Sequence, residues 1–322
     1  MKVVDLLRKG NGGQISVEIE PPTLGKSIDG VFKVLDPLVE AGIKYVNITY
    51  HAEHLIGYVE DSNKRFPVSQ RRRPGTVGVA GAIQARYAVS KIESVPHVIC
   101  TGFTKYDVEE YLIDLRFLGI ENIMALRGDA PKGPDGTRLP FTRMPGGYAH
   151  ANELIKQIVE LRKGEYVGAK KGDPIDFCVG AACYPEGHPE SKSPKEELRW
   201  LKAKVDAGAE YLVTQMFFDN EAYKQFVEKT RKLGIEIPIV PGIKPLASRK
   251  HLESLPSTFH CSIPEKLRTE VLKHGDDEKS IRKVGVDWCI EQCRELIDYG
   301  APGVHLYATR GLAIREFVER IL

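Results

Sequence analysis

Short apolar runs alternate along the chain with segments whose apolar residues recur every three to four positions. The first kind reads as strand and the second as amphipathic helix. The first strand runs from Gln14 to Glu20 and ends at Pro21-Pro22, since proline gives no N–H to a ladder and disfavours helix before it. Ser27 caps a helix to about Ala41, with the stripe Ile28, Val31, Phe32, Leu35, Leu38 and Val39, and Gly42 stops it. A second strand covers Lys44 to Tyr50, and the polar stretch Glu53 to Gly75, with Pro67 and Pro74, reads as a long loop. A helix is expected over Ala80 to Ser90, a third strand over His97 to Thr101, and a helix over Lys105 to Leu118 ended by Gly119. Asn122 to Leu126 is the fourth strand, residues 132–146 form another long loop, and Tyr148 to Arg162 is helix. Ile175 to Ala182 is the fifth strand, Ser193 to Ala207 helix, and Glu210 to Met216 the sixth strand. Asp219 caps a helix to Leu233, and Ile237 to Gly242 is the seventh strand. Residues 246–274 hold two short helices around Ser262-Ile263-Pro264, and Ser280 to Tyr299 is a long helix. Gly303 to Ala308 is the eighth strand, and Arg310 to Leu322 is helix.

Strands that alternate with helices imply a parallel sheet. Eight such units over this length fit a single α/β domain, residues 1–322, built as a closed (β/α)₈ TIM barrel. It has long loops after strands 2 and 4 and an extra helical segment after strand 7. A doubly wound open sheet is the runner-up, weakened because no strand is followed by G-x-G-x-x-G.

Composition changes this picture little. The chain has 322 residues, 42% hydrophobic and 28% charged, with a net charge of +2. That is ordinary globular composition, and no strong field draws the chain to nucleic acid or membrane. The run Arg71-Arg72-Arg73 is short, ends at Pro74-Gly75 and reads as a solvated loop. No apolar run approaches the ~20 residues of a membrane helix. Met1 to Gly13 is polar and lacks a signal peptide's apolar core, so a cytoplasmic protein is expected. Of the six cysteines, Cys100, Cys178 and Cys183 fall in strand-like runs as small buried hydrophobes. Cys289 and Cys293 have helical spacing and no companion pair, which does not make a zinc site.

In a barrel of this kind chemistry collects at the C-terminal strand ends. Those ends carry Glu18 and Glu20; Thr49, Tyr50 and His51; Thr101; Arg127, Gly128 and Asp129; Tyr184, Glu186 and His188; Gln215; Lys244; Tyr307 and Arg310. Alternation puts Val17 and Ile19 on one face of the first strand and Ser16, Glu18 and Glu20 on the other. An inward carboxylate is costly unless paired or used. Glu20 lies at the mouth, within reach of water; Glu18, one step deeper, is the candidate proton donor. An edge strand with two solvated glutamates is the alternative. His51 and His54 lack a third ligand at metal spacing, so no metal is expected. No Gly-x-Ser-x-Gly or P-loop pattern occurs.

The chain resembles the flavin-dependent methylenetetrahydrofolate reductases over nearly its whole length. The matching segments are Ser16-Val17-Glu18 with Pro21-Pro22, Val46 to Tyr50, Ala125 to Asp129, Ala181 to Glu190, Asp206 to Ala209, Thr214 to Asp219, and Pro241-Gly242-Ile243. The resemblance implies a barrel with non-covalent FAD that reduces 5,10-methylenetetrahydrofolate to 5-methyltetrahydrofolate with NADH or NADPH. It implies the short form without a regulatory domain, and a homo-oligomer is expected. By position, Glu18 matches the family's general acid, Asp129 the aspartate beside the flavin pyrimidine ring, and Gln215 the residue that meets folate or nicotinamide in turn. Thr49, Tyr50, Ala52, His97, Arg127, Gly128, Asp129, Tyr148, Ala149, Tyr184, His188, Glu197 and Lys204 fall where the family holds FAD, and Arg310 where it holds folate. Trp200, Ala203 and Leu255 depart from the pattern of some members, and Tyr307 to Arg310 is one residue tighter.

Three other readings differ in chemistry. A flavin-linked amine or proline dehydrogenase barrel gives Glu18 no task. A pterin-binding methyltransferase barrel uses no flavin. An FAD-binding subunit of a larger complex, without turnover, gives no reason for Glu18, Asp129 and Gln215 together.

Overall fold

The computed structural model describes residues 1–10, 13–90, 92–137, 139–169, 171–307 and 314–321. In chain order these form α1 (Val3–Lys9), β1 (Gln14–Ile19), α2 (Asp29–Glu40), β2 (Tyr45–Ile48), β3 (His54–Asp61), β4 (Lys64–Gln70), α3 (Thr76–Arg86), β5 (Glu93–Ile99), α4 (Lys105–Phe117), β6 (Asn122–Leu126) and α5 (Ala151–Leu161). They continue as β7 (Cys178–Cys183), α6 (Pro194–Asp206), β8 (Tyr211–Thr214), α7 (Asn220–Lys232), β9 (Ile239–Val240), β10 (Gly242–Ile243), α8 (His251–Phe259), α9 (Glu265–Leu272), α10 (Glu278–Asp298), β11 (Gly303–Leu306) and α11 (Ile314–Ile321). The strand order is β10-β11-β1-β2-β5-β6-β7-β8-β9, with β3 and β4 apart as a pair. This is a parallel, nearly closed β-barrel surrounded by helices, the (β/α)₈ architecture. β1 lies between β11 and β2, so it is no edge strand.

Contacts divide the chain into two compact units. One comprises Met1–Glu18, Asp36–Tyr45 and Gly180–Leu322, the other Ile19–Leu35 and Val46–Val179.

In the first unit the seventh barrel strand is split by Pro241. β9 pairs with β8 through Leu212 and Val213, while β10 pairs with β11 through His305 and Leu306. Pro241 has no N–H to give, but its carbonyl still accepts from His305 N at 2.9 Å. The sequence pattern joins these pieces into one strand because their apolar run is continuous. The helices α8 and α9 follow as expected, on a cluster of Met216, Phe218, Leu246, Leu252, Leu255, Cys261, Leu267, Val271 and Ile281. α1 was not anticipated: only Val3, Val4 and Leu7 among its seven residues are buried, too few to set a clear period.

In the second unit, the segment expected as a loop after β2 carries an antiparallel hairpin. Asp61 pairs with Lys64 and Val59 with Phe66. Ser62 and Asn63 have φ of 49° and 65°, the left-handed pair that a two-residue hairpin turn requires. Ser-Asn is a weaker signal for this turn than Asn-Gly. Pro67 is tolerated because each strand of a two-stranded ribbon has an unbonded edge. The connection between β6 and α5 is long and irregular, as expected. α4 starts at a reciprocal cap: Asp107 N donates to Thr104 Oγ1 (3.2 Å) and Thr104 N to Asp107 Oδ2 (2.8 Å).

All six cysteines are buried and unbridged. Burial pushes the Cys100 thiol up to about 12 and Cys261 to about 11, and raises Cys183 further. Among the described residues no helix is long and apolar enough to cross a membrane.

Candidate active site

In the first unit, β1 and β11 run in parallel register, Ser16 opposite His305 and Val17 opposite Leu306. Ser16 Oγ lies 2.8 Å from His305 Nδ1, both side chains being buried. Glu18, two residues on, is half-buried. Tyr307, two residues past His305, turns its ring edge to that imidazole at 4.8 Å and donates its hydroxyl to Thr214 O at 2.7 Å. Burial first, and then the charge of Glu18, hold the Tyr307 phenol well above its usual range. The Tyr307 hydroxyl proton is thus already committed to Thr214 O.

The end of β7 in the same unit forms a second group. Tyr184 meets His188 edge-on at 4.7 Å. Lys204, from α6, donates to Ala182 O at 2.6 Å with its ammonium 5.6 Å from the Tyr184 ring centre. Desolvation holds the ammonium below the ordinary lysine pKa. Glu197 is only 6% exposed; its Oε2 accepts from His188 N (3.1 Å) and Ser191 Oγ (2.6 Å), fixing the loop onto α6. Glu186 accepts from Ser262 N at 2.8 Å, tying that loop to the segment between α8 and α9, and burial raises its pKa. Gln215 N donates to Cys183 O (2.8 Å), and Gln215 Oε1 accepts from Met216 N (2.9 Å).

In the second unit, Thr49 N and Oγ1 both bond to Ile19 O, at 3.0 and 3.2 Å. Thr49 Oγ1 also lies 3.1 Å from His51 Nε2. Ala52 follows, half-buried. Tyr50 packs edge-on to Phe103 (5.3 Å) and Tyr111 (6.2 Å), and burial raises its phenol pKa. His97 is 8% exposed; burial, and then the charge of His51, lower its imidazole to about 3, so it is neutral near pH 7. Its carbonyl accepts from Thr76 Oγ1 and Tyr111 OH, both at 3.3 Å.

After β6, Arg127 O accepts from Thr101 N and Oγ1, each at 3.0 Å. The Arg127 guanidinium lies 4.8 Å from the Phe141 ring centre. Gly128 has φ +86°, and a Cβ there would sit 2.9 Å from Ile99 Cβ and Thr101 Oγ1. Only glycine fits this turn. Asp129 is exposed, and its charge acts on His51. Tyr148 is half-buried, and Ala149 N donates to Glu153 Oε2 at 2.8 Å, fixing the start of α5.

The family model described as methylenetetrahydrofolate reductase matches residues 2–321. The chain belongs to the methylenetetrahydrofolate reductase family. Relatives include a probable methylenetetrahydrofolate reductase (NADPH) of Caenorhabditis elegans, 31% identical over 95% of this chain and 42% of that protein. Methylenetetrahydrofolate reductase (NADH) 1 of Arabidopsis thaliana is 30% identical over 95% of this chain and 48% of its own length. The chain therefore spans about half the length of these curated relatives. The 5,10-methylenetetrahydrofolate reductase of Escherichia coli is 28% identical over 92% of this chain and 86% of that one. Among solved structures, a Clostridium thermocellum protein that binds two copies of 5-methyl-5,6,7,8-tetrahydrofolic acid superposes with a TM-score of 0.55 at 15% identity, covering 100% of this chain and 98% of that one. That likeness shows the fold.

Set against this reductase family, the strand-end residues fall into local groups. The charge of Glu18 acts on Tyr307; Tyr184, His188, Glu197 and Lys204 form one cluster, with Gln215 bonded to the same strand end. Thr49, Tyr50 and Ala52 follow β2, with Tyr50 packed on Tyr111, whose hydroxyl bonds His97 O, and Arg127, Gly128 and Asp129 form the turn after β6. Arg310 lies outside the described residues.

The basic run differs from the solvated loop expected. Arg73, 17% exposed at its side chain, donates to Glu20 Oε2 at 3.0 Å and to Pro21 O. Glu20 is therefore an ion-pair partner, 44% exposed, as well as a residue at the mouth. Ser16 and His305 were not singled out, yet period-2 spacing from Glu18 and Tyr307 places them on the same faces. Arg73 had no local signal, because its partners lie some fifty residues away.

Proposed function

We propose that the protein reduces 5,10-methylenetetrahydrofolate to 5-methyltetrahydrofolate with FAD as bound cofactor and NADH or NADPH as donor. The two substrates are used in turn in a ping-pong cycle, with Glu18 as general acid. Residues 1–322 serve as one catalytic domain of a cytoplasmic homo-oligomer. The family match over residues 2–321 supports the reaction. The observation that carries the acid assignment is the half-buried Glu18, whose charge acts on the partly buried Tyr307, its hydroxyl fixed on Thr214 O.

The donor set fits FAD. His97 is a neutral imidazole, Thr49 and Tyr50 offer hydroxyls, Arg127 and Lys204 are cations, and Tyr184 and Tyr148 present aromatic faces. These residues, with Ala52, Gly128, Ala149, His188 and Glu197, are assigned to hold the cofactor. FAD, when bound, supplies hydride chemistry between the nicotinamide donor and the folate carbon. Glu18 gives a proton to the ring nitrogen that leaves, which opens the five-membered folate ring and leaves a cation on the one-carbon unit. Glu18 lies half-buried, which limits its access to bulk water. Asp129 is assigned to stabilise the substrate cation, while Gln215 and Arg310 orient the substrate.

Glu18→Gln tests the assignment. Flavin reduction by NADH or NADPH should stay within about tenfold of the parent, while folate reduction should fall by ~10²–10⁴-fold. Stopped-flow absorbance of the flavin separates the two half-reactions. Equal rates with folate in parent and variant would sink the acid assignment. Acid precipitation should release FAD; release of FMN, or of no flavin, contradicts the cofactor assignment.

A further inference from the structure

The β3–β4 hairpin is rooted beside two of the segments assigned to FAD. Its first strand leaves directly after Thr49–Ala52, and its base is bridged to the loop that follows Arg127–Asp129. His54 pairs with Lys132 in an isolated parallel bridge, and Leu55 N donates to Lys132 O at 3.2 Å. On the returning strand Gln70 lies opposite His54, and Arg72 O accepts from Leu24 N at 2.9 Å. The backbones of His54, Arg72 and Lys132 are thus fixed at the hairpin root.

The charges there do not cancel. Arg71 faces Glu53 at 3.5 Å, and Arg73 is paired with Glu20. Arg72 and Lys132 are exposed, and among the described residues neither is within pairing distance of a carboxylate. Both cations press on His54: its imidazole pKa is lowered by desolvation first, then by Lys132, then by Arg72. Lys132 also acts on His51, with Arg73, against Glu20 and Asp129. Two exposed cations that both act on the His54 imidazole leave positive potential there, which an arriving anion would relieve. An arginine fork and a lysine point charge are also the side chains best suited to phosphate.

We propose that Arg72, Lys132 and His54 form a phosphate-binding rim at the hairpin root that takes a phosphate group of a dinucleotide. This rests on the flavoenzyme reading above. Two sources carry that chemistry: the diphosphate of FAD and the 2′-phosphate that distinguishes NADPH from NADH. The second source makes the hairpin a determinant of donor choice.

The test uses the full chain with Arg72→Gln, Lys132→Gln and the double variant. Arg72→Lys with Lys132→Arg keeps the charge, and Arg65→Gln, on the hairpin but away from its root, is the control. In one arm, flavin-free protein is titrated with FAD and with riboflavin, which has no phosphate. In the other, FAD-loaded protein is reduced by NADPH and by NADH in stopped flow. Each arm is run at low and high salt. The double variant should weaken FAD relative to riboflavin, or NADPH relative to NADH, by roughly 10–100-fold, the worth of lost charge-assisted hydrogen bonds. It should also flatten that ligand's salt dependence, while the charge-preserving variant and Arg65→Gln bind as the parent does. A change confined to FAD assigns the diphosphate; a change confined to NADPH assigns the 2′-phosphate. Unchanged affinities in both arms, or equal loss for riboflavin and NADH, overturns the rim. If the parent turns over folate while this selective effect is missing, the rim alone fails. If the parent takes neither FAD nor a nicotinamide donor, the flavoenzyme reading falls with it.

Discussion

Gly128→Ala separates two costs that the turn after β6 combines. Gly128 has φ +86°, where an added Cβ strains the backbone by ~1–2 kcal/mol. The same Cβ would lie 2.9 Å from both Ile99 Cβ and Thr101 Oγ1. Both neighbours are held: Ile99 ends β5, and Thr101 Oγ1 is bonded to Arg127 O. Neither can move without disturbing a strand end, so overpacking adds ~1–3 kcal/mol. The total is ~2–5 kcal/mol. Gly102 is the internal reference, with φ +80° and no atom within 4 Å of its virtual Cβ. Gly102→Ala should cost only the backbone part, ~1–2 kcal/mol. Urea unfolding of parent and both variants, compared at equal slope, measures the difference. Because Gly128 lies between Arg127 and Asp129, its variant should also lose flavin retention, read from the absorbance of the purified protein. Equal destabilisation by the two substitutions would refute the packing argument and leave only the dihedral.

Three further outcomes follow from particular contacts. His97 titrates near about 3 when folded against ~6.5 when unfolded. Between those values the unfolded chain binds the extra proton, so stability is lost as pH falls, by up to ~1.4 kcal/mol per pH unit; His97→Gln should flatten that slope in urea unfolding at pH 4 to 7, and an unchanged slope rules out a buried neutral imidazole. Arg73→Met removes the guanidinium that the Pro21 carbonyl accepts from and should cost ~1–3 kcal/mol, whereas Glu20→Gln, at a more exposed partner, should cost under ~1 kcal/mol; a reversed order in thermal or urea unfolding contradicts the burial argument. Glu186 has a raised pKa, so folding favours its protonated form and stability falls as pH rises from the ordinary carboxylate range through the folded pKa; Glu186→Gln, which still offers an oxygen to Ser262 N, should remove that decline, and melting midpoints across pH 4 to 8 will show whether it does.

The barrel was legible because its strands and helices carry their periods locally. The eight barrel strands fall where the apolar runs lie, and the paired helices α8 and α9 appear around Ser262-Ile263-Pro264 as the pattern indicated. What escaped depends on geometry that no local window contains. Pro241 divides one apolar run because its two ends serve different neighbours. The hairpin escaped because its apolar residues Ile56, Tyr58, Val59 and Phe66 are exposed, so its strands lack a buried face that alternation could reveal. At the strand ends, Glu18 stood out because a carboxylate interrupts an apolar strand. Arg73 read as one of three interchangeable arginines until its partners at Glu20 and Pro21 were known.

The six buried thiols give each unit its own clock. A thiol-directed reagent must reach the sulfur, and burial keeps it from all six. Cys100, held at about 12, and Cys178 report on the unit built from residues 19–35 and 46–179; Cys183, Cys261, Cys289 and Cys293 report on the other. Labelling of the native protein must therefore wait for local opening, and mass spectrometry of the tagged peptides would time that opening unit by unit. If the two sets of cysteines label at one common rate, the units open together. If they label at separate rates, the faster set identifies the half of the chain that loosens first.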